Sequence, residues 1–596
     1  MPALYLVDKP LLLDNRLLFV VSMLLSVWLV LMDPVLNRDA ILYLRAADAY
    51  LEHGFAAAMA LYDRPFLPIL FGHLHDLTGL RMDLAALLVL GLLYSLLVIV
   101  FVAIVRLLGG SREVQLLAAL LILVHPEINA YRSSIVRDPG FWAFALLAVY
   151  ALLRYARDPG IMLGLWWFLA LLVATLFRFE ALFLVALGPL FLLGAIPGRR
   201  GLRVALPLWV PPMILGALVY VLVLGRAPAD EEWFPHISYY FQQAASWRTQ
   251  FDVASTAIAD HLLAFTSVVD APVAAFGALL AVLIITIARA LMWPVLALWI
   301  VGRWCGGGLH WTRAQHWLVW GHVAICLLYL SLFLLVNRFV IERYTGLLVV
   351  LLLLPLPFWI DALWRRYGAL TRVLLVLLLA GLCVDTLHNS NYRKGFIADG
   401  TDWIRRNAPV NAPLLSNEPH LAYFSDRPVD FQLEPGHTDF FDVLQSRPGL
   451  IRAHHYIALN VRDRDRSHAD QLLTDDALRE LAVFGGGRYG TLLILQNRDF
   501  SPLLNLASML ERSLPPGAVL HTNEVALLEM LPPSIRVDWN PGAAVLDRTG
   551  SDGAQVLFVP TLRQARALAT QAEAHHETLM VPGEDGRTWL LLKPIR

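Results

Sequence analysis

Apolar runs constrain this chain before any motif does. Crossing the hydrocarbon core of a bilayer takes about 20 apolar residues in helical form, and about eleven runs approach that requirement. They lie at Leu17–Met32, Leu84–Leu108, Val114–Val124, Gly140–Leu153, Ile161–Phe177, Ala181–Ile196, Val204–Gly225, Ala278–Ile300, Trp317–Val336, Gly346–Ile360 and Val373–Val384. With 58% hydrophobic and only 16% charged residues among 596, the expected fold is an α-helical polytopic membrane protein. The first run lacks a small-residue cleavage site and precedes many more spans, so it reads as a signal anchor.

Charge narrows the function classes. The 47 Lys and Arg against 48 Asp and Glu leave a formal charge of −1, with no global basic field to attract nucleic acid. Cys305, Cys326 and Cys383 sit in or beside apolar runs without CxxC or Cys/His spacing, which implies neither a disulfide framework nor a zinc ribbon. No internal repeat is visible, and a repeat would have favoured a transporter.

Arginine and lysine in short connections mark the cytoplasmic side. With Lys9 and Arg16 inside, the inside connections carry Arg106 and Arg112, Arg154 and Arg157, Arg199, Arg200 and Arg203, Arg303 and Arg313, and Arg365, Arg366 and Arg372. An odd number of spans then places everything after about His388 outside. The boundary divides a transmembrane domain, 1–388, from a polar tail, 389–596. Strand-like runs in the tail at Tyr456–Val461, Thr491–Gln496, Ala518–His521, Gln555–Val559 and Trp589–Leu592 alternate with helical stretches at Asp470–Val483, Leu503–Ser513 and Leu562–His576. That alternation predicts a small α/β domain.

The opposite connections form a crown of arginine, carboxylate and aromatic residues. In the first, Asp33 to Leu80, helical spacing puts Asp39, Tyr43, Ala46 and Tyr50 on one face. Gly54 can end that helix, and Arg64-Pro65 with Pro68 turns the chain back. The second gathers His125, Glu127, Arg132, Arg137 and Asp138, and its residues alone favour a salt-bridged turn with Asp138 at a helix N-cap and Pro139 at the first helical position. The third is Arg178-Phe179-Glu180, either an interfacial ion pair or a substrate contact. The fourth, roughly Arg226 to Asp270, holds Asp230, Glu231, Glu232, Trp233, His236, Tyr239, Tyr240 and His261. These acids and the histidine lack the spacing of metal ligands and read as a solvated loop, although a divalent cation stays open. The fifth is Asn337 to Tyr344. Arg289 lies within an apolar run, where a charge costs about 2.5–3.5 kcal/mol. It reads equally as an anchor for a lipid phosphate and as a side chain snorkelling to the interface.

These loops resemble those of the GT-C superfamily of polyprenyl-phosphate-sugar glycosyltransferases, which includes protein O-mannosyltransferases and the aminoarabinose transferases of lipid A. Asp39-x-x-x-Tyr43 followed by Gly54, Arg64-Pro65 and Pro68 is similar to the first outer loop of that group. His125-Pro126 with Arg137-Asp138-Pro139 is similar to its second, Arg178-Phe179-Glu180-Ala181 to its Arg-x-Glu turn, and Glu342-Arg343-Tyr344 to its late Arg-Tyr turn. The tail, with Trp403-Ile404, Asn407, Ser416-Asn417 and Tyr423-Phe424-Ser425, resembles the outer domain of bacterial relatives. One departure stands out. Many relatives place two adjacent acids in the first loop, whereas Arg38 precedes Asp39 here, which leaves the base and any carboxylate-bound metal open.

The resemblance implies a GT-C-like domain of about eleven spans with juxtamembrane helices in the first outer loop and a periplasmic C-terminal domain. It also implies a hexosyl- or pentosyltransferase of the bacterial inner membrane that passes a sugar from a polyprenyl-phosphate donor to a lipid, glycan or protein acceptor, with inversion. Asp39 would be the general base. Arg343, Arg178, Arg289 and Arg64, in that order, would hold the donor phosphate. Tyr43, His125, Glu127, Arg137, Asp138, Glu180 and Tyr344 would contact substrate. No cofactor beyond the open divalent cation is implied. Read without the family, Asp39 is a helix cap or a surface carboxylate paired with Arg38 or Arg45. Three other readings stand beside the transferase: a lipid-linked glycan polymerase or ligase with a pyrophosphate donor, a transporter or flippase, and an idle scaffold. A transporter should carry ionisable residues in several spans, whereas here only Arg289 does.

Overall fold

The computed structural model describes residues 14–33, 35–221, 235–263, 265–388, 394–409, 412–427, 429, 440–446, 448–474, 476–487, 490–514, 517–524, 526–539, 554–559, 568–569, 576–582 and 588–594. The chain divides into two compact units, Met1–Ser390 and Asn391–Arg596.

The first unit is helical. In order it contains α1 (Asn15–Met32), α2 (Arg38–His53), α3 (Phe55–Leu61), α4 (Phe66–Thr78), α5 (Met82–Leu107), α6 (Arg112–Val124), α7 (Pro126–Asn129), α8 (Asp138–Arg157), α9 (Ile161–Phe177), α10 (Ala181–Leu187), α11 (Leu190–Ala195), α12 (Arg199–Val219), α13 (Pro235–His261), α14 (Ala271–Leu291), α15 (Trp293–Cys305) and α16 (Arg313–Asn337). A 3-10 turn, Glu342–Thr345, then leads into α17 (Gly346–Leu353), α18 (Leu356–Arg366) and α19 (Ala369–Leu387). Among the described residues, 7 helices are long and apolar enough to cross a membrane, or 8 if the bent pair α17–α18 counts as one. This is a multi-pass membrane protein.

The count is lower than that of the apolar runs because several runs break or stay short. Val114–Val124 becomes α6, whose 13 residues reach about 20 Å at 1.5 Å each, short of a core of about 30 Å. The run from Ala181 divides at Gly188-Pro189. The run from Ala278 breaks at Met292, which has φ 65° and stands two residues before Pro294. Gly346–Ile360 bends by 44° at Pro355 and Pro357. Proline removes a backbone donor and clashes with the preceding turn, so it is the common cause of these breaks.

The first polar segment folds as α2, α3 and α4. Gly54 (φ 83°) ends α2 and Gly79 (φ 68°) ends α4 in the left-handed region that glycine enters without a Cβ clash. Asn37 occupies the N-cap of α2, yet its amide does not cap. It accepts from the Ile135 N–H at 2.8 Å and donates to the Ile135 carbonyl at 3.2 Å, which straps the first polar segment to the second. Ser133 Oγ adds a hydrogen bond to Asp33 Oδ2 at 2.9 Å. Below this strap α5 packs against α1 and α8, and α8 packs against α9. The close approaches need glycine. A Cβ on Gly140 would overlap the Phe177 ring, and one on Gly346 would overlap the Trp142 indole.

The second unit holds β1 (Leu414–Ser416), β2 (Tyr456–Val461), β3 (Leu478–Gly485), β4 (Thr491–Asn497), β5 (Val519–Thr522), β6 (Arg536–Trp539), β7 (Ala554–Val559), β8 (His576–Pro582) and β9 (Thr588–Pro594). They form a four-stranded sheet ordered β1-β2-β4-β3 and a five-stranded sheet ordered β6-β5-β7-β9-β8. Pairing is parallel for β1–β2, β5–β6 and β5–β7, and antiparallel elsewhere. Leu415, Phe440, Ile457, Leu459 and Leu495 belong to one buried core, and Leu506, Leu510, Leu520, Trp589 and Leu591 to another. The expected α/β character is present, and the five expected strands correspond to β2, β4, β5, β7 and β9. The stretch Asp470–Val483 is not one helix: a helix ends at Leu472 and β3 begins at Leu478. Most of Leu562–His576 lies outside the described residues.

Gly346→Ala should drive Trp142 from its rotamer and lower stability by about 1–3 kcal/mol, the usual scale of overpacking. Gly381→Ala, whose Cβ meets nothing within 4 Å, should be neutral or mildly stabilising. Thermal unfolding of the purified protein in detergent distinguishes the two.

Candidate active site

Four short pieces of chain meet at the end of the helices that carries α2. They are the first turn of α2, the Arg137-Asp138 step into α8, the Arg178–Glu180 turn after α9, and the 3-10 turn Glu342–Thr345. Their side chains form one ion-pair network.

Arg178 lies at its centre. Its guanidinium donates to Asp138 Oδ1 and to Glu180 Oε1, and it covers the Tyr344 ring with its carbon 4.4 Å from the centroid. The Arg178 and Asp138 side chains are only 6% and 3% exposed, so neither is a surface charge. Asp138 also faces a second arginine, with Oδ2 3.4 Å from Arg343 Nε. Arg343 in turn donates from Nη1 to Asp39 Oδ2 at 3.0 Å. This last pair is the open edge of the network, with Arg343 19% and Asp39 41% exposed. Asp138 is therefore the first residue of α8, and its carboxylate is spent on two distant arginines rather than on capping.

The remaining candidates fall into three groups. Arg64 touches the network from the side: it pairs with Asp63 at 3.2 Å and lies over the Phe179 ring at 5.0 Å. Tyr43 is buried on α2, 4.8 Å ring to ring from Tyr62. Arg137 lies within electrostatic range of Tyr43, Tyr62, Arg178 and Asp138. Glu127 accepts from the Tyr131 hydroxyl at 2.8 Å, and burial, with Glu342 nearby, raises its pKa. His125 is fully buried, and its Nδ1 accepts from the Ile128 N–H at 3.3 Å, capping α7. Arg289 does not join. It is exposed in the last turn of α14, because the run that should have enclosed it breaks at Met292, and its side chain makes no ion pair or hydrogen bond among the described residues. Asp230 to Trp233 lie outside the described residues, and nothing is described of the side chains of His236, Tyr239 and Tyr240. No group of three or more His, Cys, Asp or Glu is arranged to hold a metal ion among the described residues.

Two supporting groups carry no motif. Arg132, a loop charge in the sequence, is buried. It donates to the Ser22 carbonyl at 2.9 Å, Ser26 Oγ at 2.7 Å and Asn129 Oδ1 at 2.6 Å, and stacks over Tyr94 at 4.3 Å. Asn37 clamps Ile135. The sequence signal for Asn37 was its place as a helix-capping residue type directly before the α2 pattern. Nothing in the sequence points to Ile135 as its partner.

The electrostatics follow from this pairing. Burial alone would lower the pKa of Arg178, but Glu180 and Asp138 outweigh it and raise it. Arg343 likewise ends above its ordinary value because Asp138 and Asp39 overcome burial. Both stay cationic, so acid sensitivity belongs to the carboxylates. Burial pushes Glu180 up, and Arg178 reverses this and holds it at about 2. A carboxyl lowered on folding stabilises the fold above its unfolded pKa and loses that contribution as pH falls through the folded one. The melting temperature in detergent should therefore fall between pH 4.5 and about 2. In Glu180→Gln that part of the acid dependence should be missing, although the variant starts less stable at neutral pH.

Residues 82–177, from the start of α5 to the end of α9, match the family described as dolichyl-phosphate-mannose-protein mannosyltransferase. A comparison with curated proteins gives no match. Among solved structures, the arabinofuranosyltransferase AftD from Mycobacteria aligns at 14% identity and a TM-score of 0.40, over 81% of this chain and 40% of AftD. This chain thus spans less than half the length of that protein. ArnT from Cupriavidus metallidurans bound to undecaprenyl phosphate aligns at 15% identity and a TM-score of 0.34, over 80% of this chain and 97% of ArnT. The family match covers the segment that carries His125, Glu127, Arg137 and Asp138.

Proposed function

We propose that this protein transfers a sugar from a polyprenyl-phosphate donor to a hydroxyl of a lipid, glycan or protein acceptor, on the outer face of a bacterial inner membrane. In this reading the N-terminus is cytoplasmic, residues 1–388 form the transmembrane domain, and residues 389–596 form a periplasmic domain. The observation that carries the reading is the Asp39–Arg343 contact, which joins a carboxylate and a guanidinium from loops 304 residues apart at the accessible edge of an otherwise buried network.

Each partner suits one end of a single displacement. The acceptor oxygen bonds to the anomeric carbon as the bond from that carbon to the phosphate oxygen breaks. The hydroxyl proton passes to the Asp39 carboxylate, and the electron pair leaves on the polyprenyl phosphate. Arg343 stabilises the charge gathering there through its planar fork. Arg178 is already committed to Asp138 and Glu180 and acts by holding Asp138 against Arg343. Attack opposite the leaving group inverts the anomeric centre. Glu127, largely buried with a raised pKa, lines the same region with Tyr131 and Tyr344.

Asp39→Asn in protein that inserts and purifies normally should lower transfer from a defined polyprenyl-phosphate sugar by about 100-fold or more, the range of positioned proton transfer, while donor binding persists. Arg343→Gln should chiefly weaken donor binding. Wild-type turnover by Asp39→Asn would remove it as the base, and transfer confined to pyrophosphate-linked donors would replace this reading with a glycan polymerase or ligase.

A further inference from the structure

We propose that Arg137, Tyr43 and Tyr62 form an oxyanion-binding subsite, separate from the Asp39–Arg343 pair, that takes a phosphate or carboxylate group. The identity of the group's bearer, the donor lipid or an acidic acceptor, rests on the glycosyltransferase reading. Binding of the anion itself does not.

The network leaves Arg137 over. Asp39, Asp138 and Glu180 are all engaged by Arg343 and Arg178. Arg137 stands directly before Asp138 in the chain, yet its side chain makes no ion pair or hydrogen bond among the described residues, and its Nη1 is buried without a partner. A buried donor left unmade costs about 1–3 kcal/mol, and more when charged, so a bare guanidinium N–H in a polar site points to an acceptor that arrives with a ligand.

The phenols beside it have the same deficit. The Tyr62 hydroxyl donates to the Tyr43 hydroxyl at 3.4 Å. Two hydroxyls that bond to each other use one proton and leave one, whichever way the pair is oriented. Tyr43 is buried, and both phenols interact electrostatically with Arg137. The Asn37–Ile135 clamp holds α2, which carries Tyr43, beside the segment that carries Arg137. The group thus offers unspent donors and a cation whose nearby carboxylates, Asp138 and Glu180, are hydrogen-bonded to Arg178 instead. Its chemical complement is an oxyanion, which a guanidinium fork and a phenolic proton can hold together.

Inorganic phosphate is the probe. Thermal unfolding of the full chain in detergent is followed as phosphate replaces chloride at constant ionic strength. Wild type should gain stability saturably. Arg137→Gln should weaken the apparent affinity about tenfold or more and Tyr43→Phe about fivefold, as expected for a charged and a neutral hydrogen bond. Tyr43→Phe keeps the question answerable if Arg137→Gln does not fold. Saturating polyprenyl phosphate then identifies the bearer: if it abolishes the phosphate effect, the subsite holds the donor phosphate, and if the effects add, it holds an acidic group of the acceptor. No saturable effect on wild type, or wild-type affinity in both Arg137→Gln and Tyr43→Phe, overturns the proposal. Failure of sugar transfer with every donor tried would count against the glycosyltransferase reading and leave this titration standing.

Discussion

A buried guanidinium at Arg178 is the charge around which the first unit is arranged. Removing an arginine from water costs several kcal/mol, which pairing offsets only when the partners are close and themselves hydrogen-bonded. Arg178 meets this with two carboxylates and an aromatic face. Glu180 comes from its own turn, Asp138 from the start of α8, and Tyr344 from the turn before α17. Asp138 suits its place twice over, since a helix N-terminus also favours negative charge. The demand therefore fixes where α8 begins, how α9 ends and where the Glu342–Thr345 turn docks. Gly140 and Gly346 permit the approach by leaving room for Phe177 and Trp142.

A second arginine solves the same problem without a carboxylate. Arg132 spreads its charge over a carbonyl, two serine hydroxyls and an asparagine, and rests on Tyr94. It ties the second polar segment to α1, and the Asn37–Ile135 clamp ties it to α2. Only Ser133 and Ser134 lie between these two anchors, and Asp138 follows three residues after Ile135, so this stretch has little freedom. Asp138 thus reaches Arg178 and Arg343 from a fixed starting point, which is why residues that touch no predicted substrate position the site.

Some of this was legible in the sequence and some was not, for physical reasons. Composition revealed the membrane helices, because a long apolar stretch has few other destinations. It gave more runs than there are helices long enough to cross among the described residues, because hydropathy ignores backbone geometry and Pro189 and Pro355 interrupt helices within apolar runs. Arg178, Glu180, Arg343 and Asp39 were visible as charges at the ends of apolar runs, and the structure brings them together. The burial of Arg132 was not legible because a lone arginine between spans looks like a loop charge, and the serines that bury it lie up to 110 residues away. The partner of Asn37 is 98 residues distant, beyond any local pattern. In the second unit most of β3 fell within Asp470–Val483, a stretch read as helix, and its pairing with β4, which lies outside that stretch, decides otherwise.

The network also ranks its own bonds. Drawing Asp138 or Glu180 away from Arg178 would strand a buried charge, at a cost of about 3–5 kcal/mol. Exposed pairs hold by about 0–1 kcal/mol, and Asp39–Arg343, open on the carboxylate side, lies toward that end. An arriving phosphate can therefore displace Asp39 from Arg343 but not Asp138 from Arg178. Under the proposed reaction that exchange seats the donor and frees the carboxylate that must accept the proton in one step. In the proposed reaction Asp39 is masked as a base while Arg343 holds it, and the donor phosphate is the group with the charge to remove the mask.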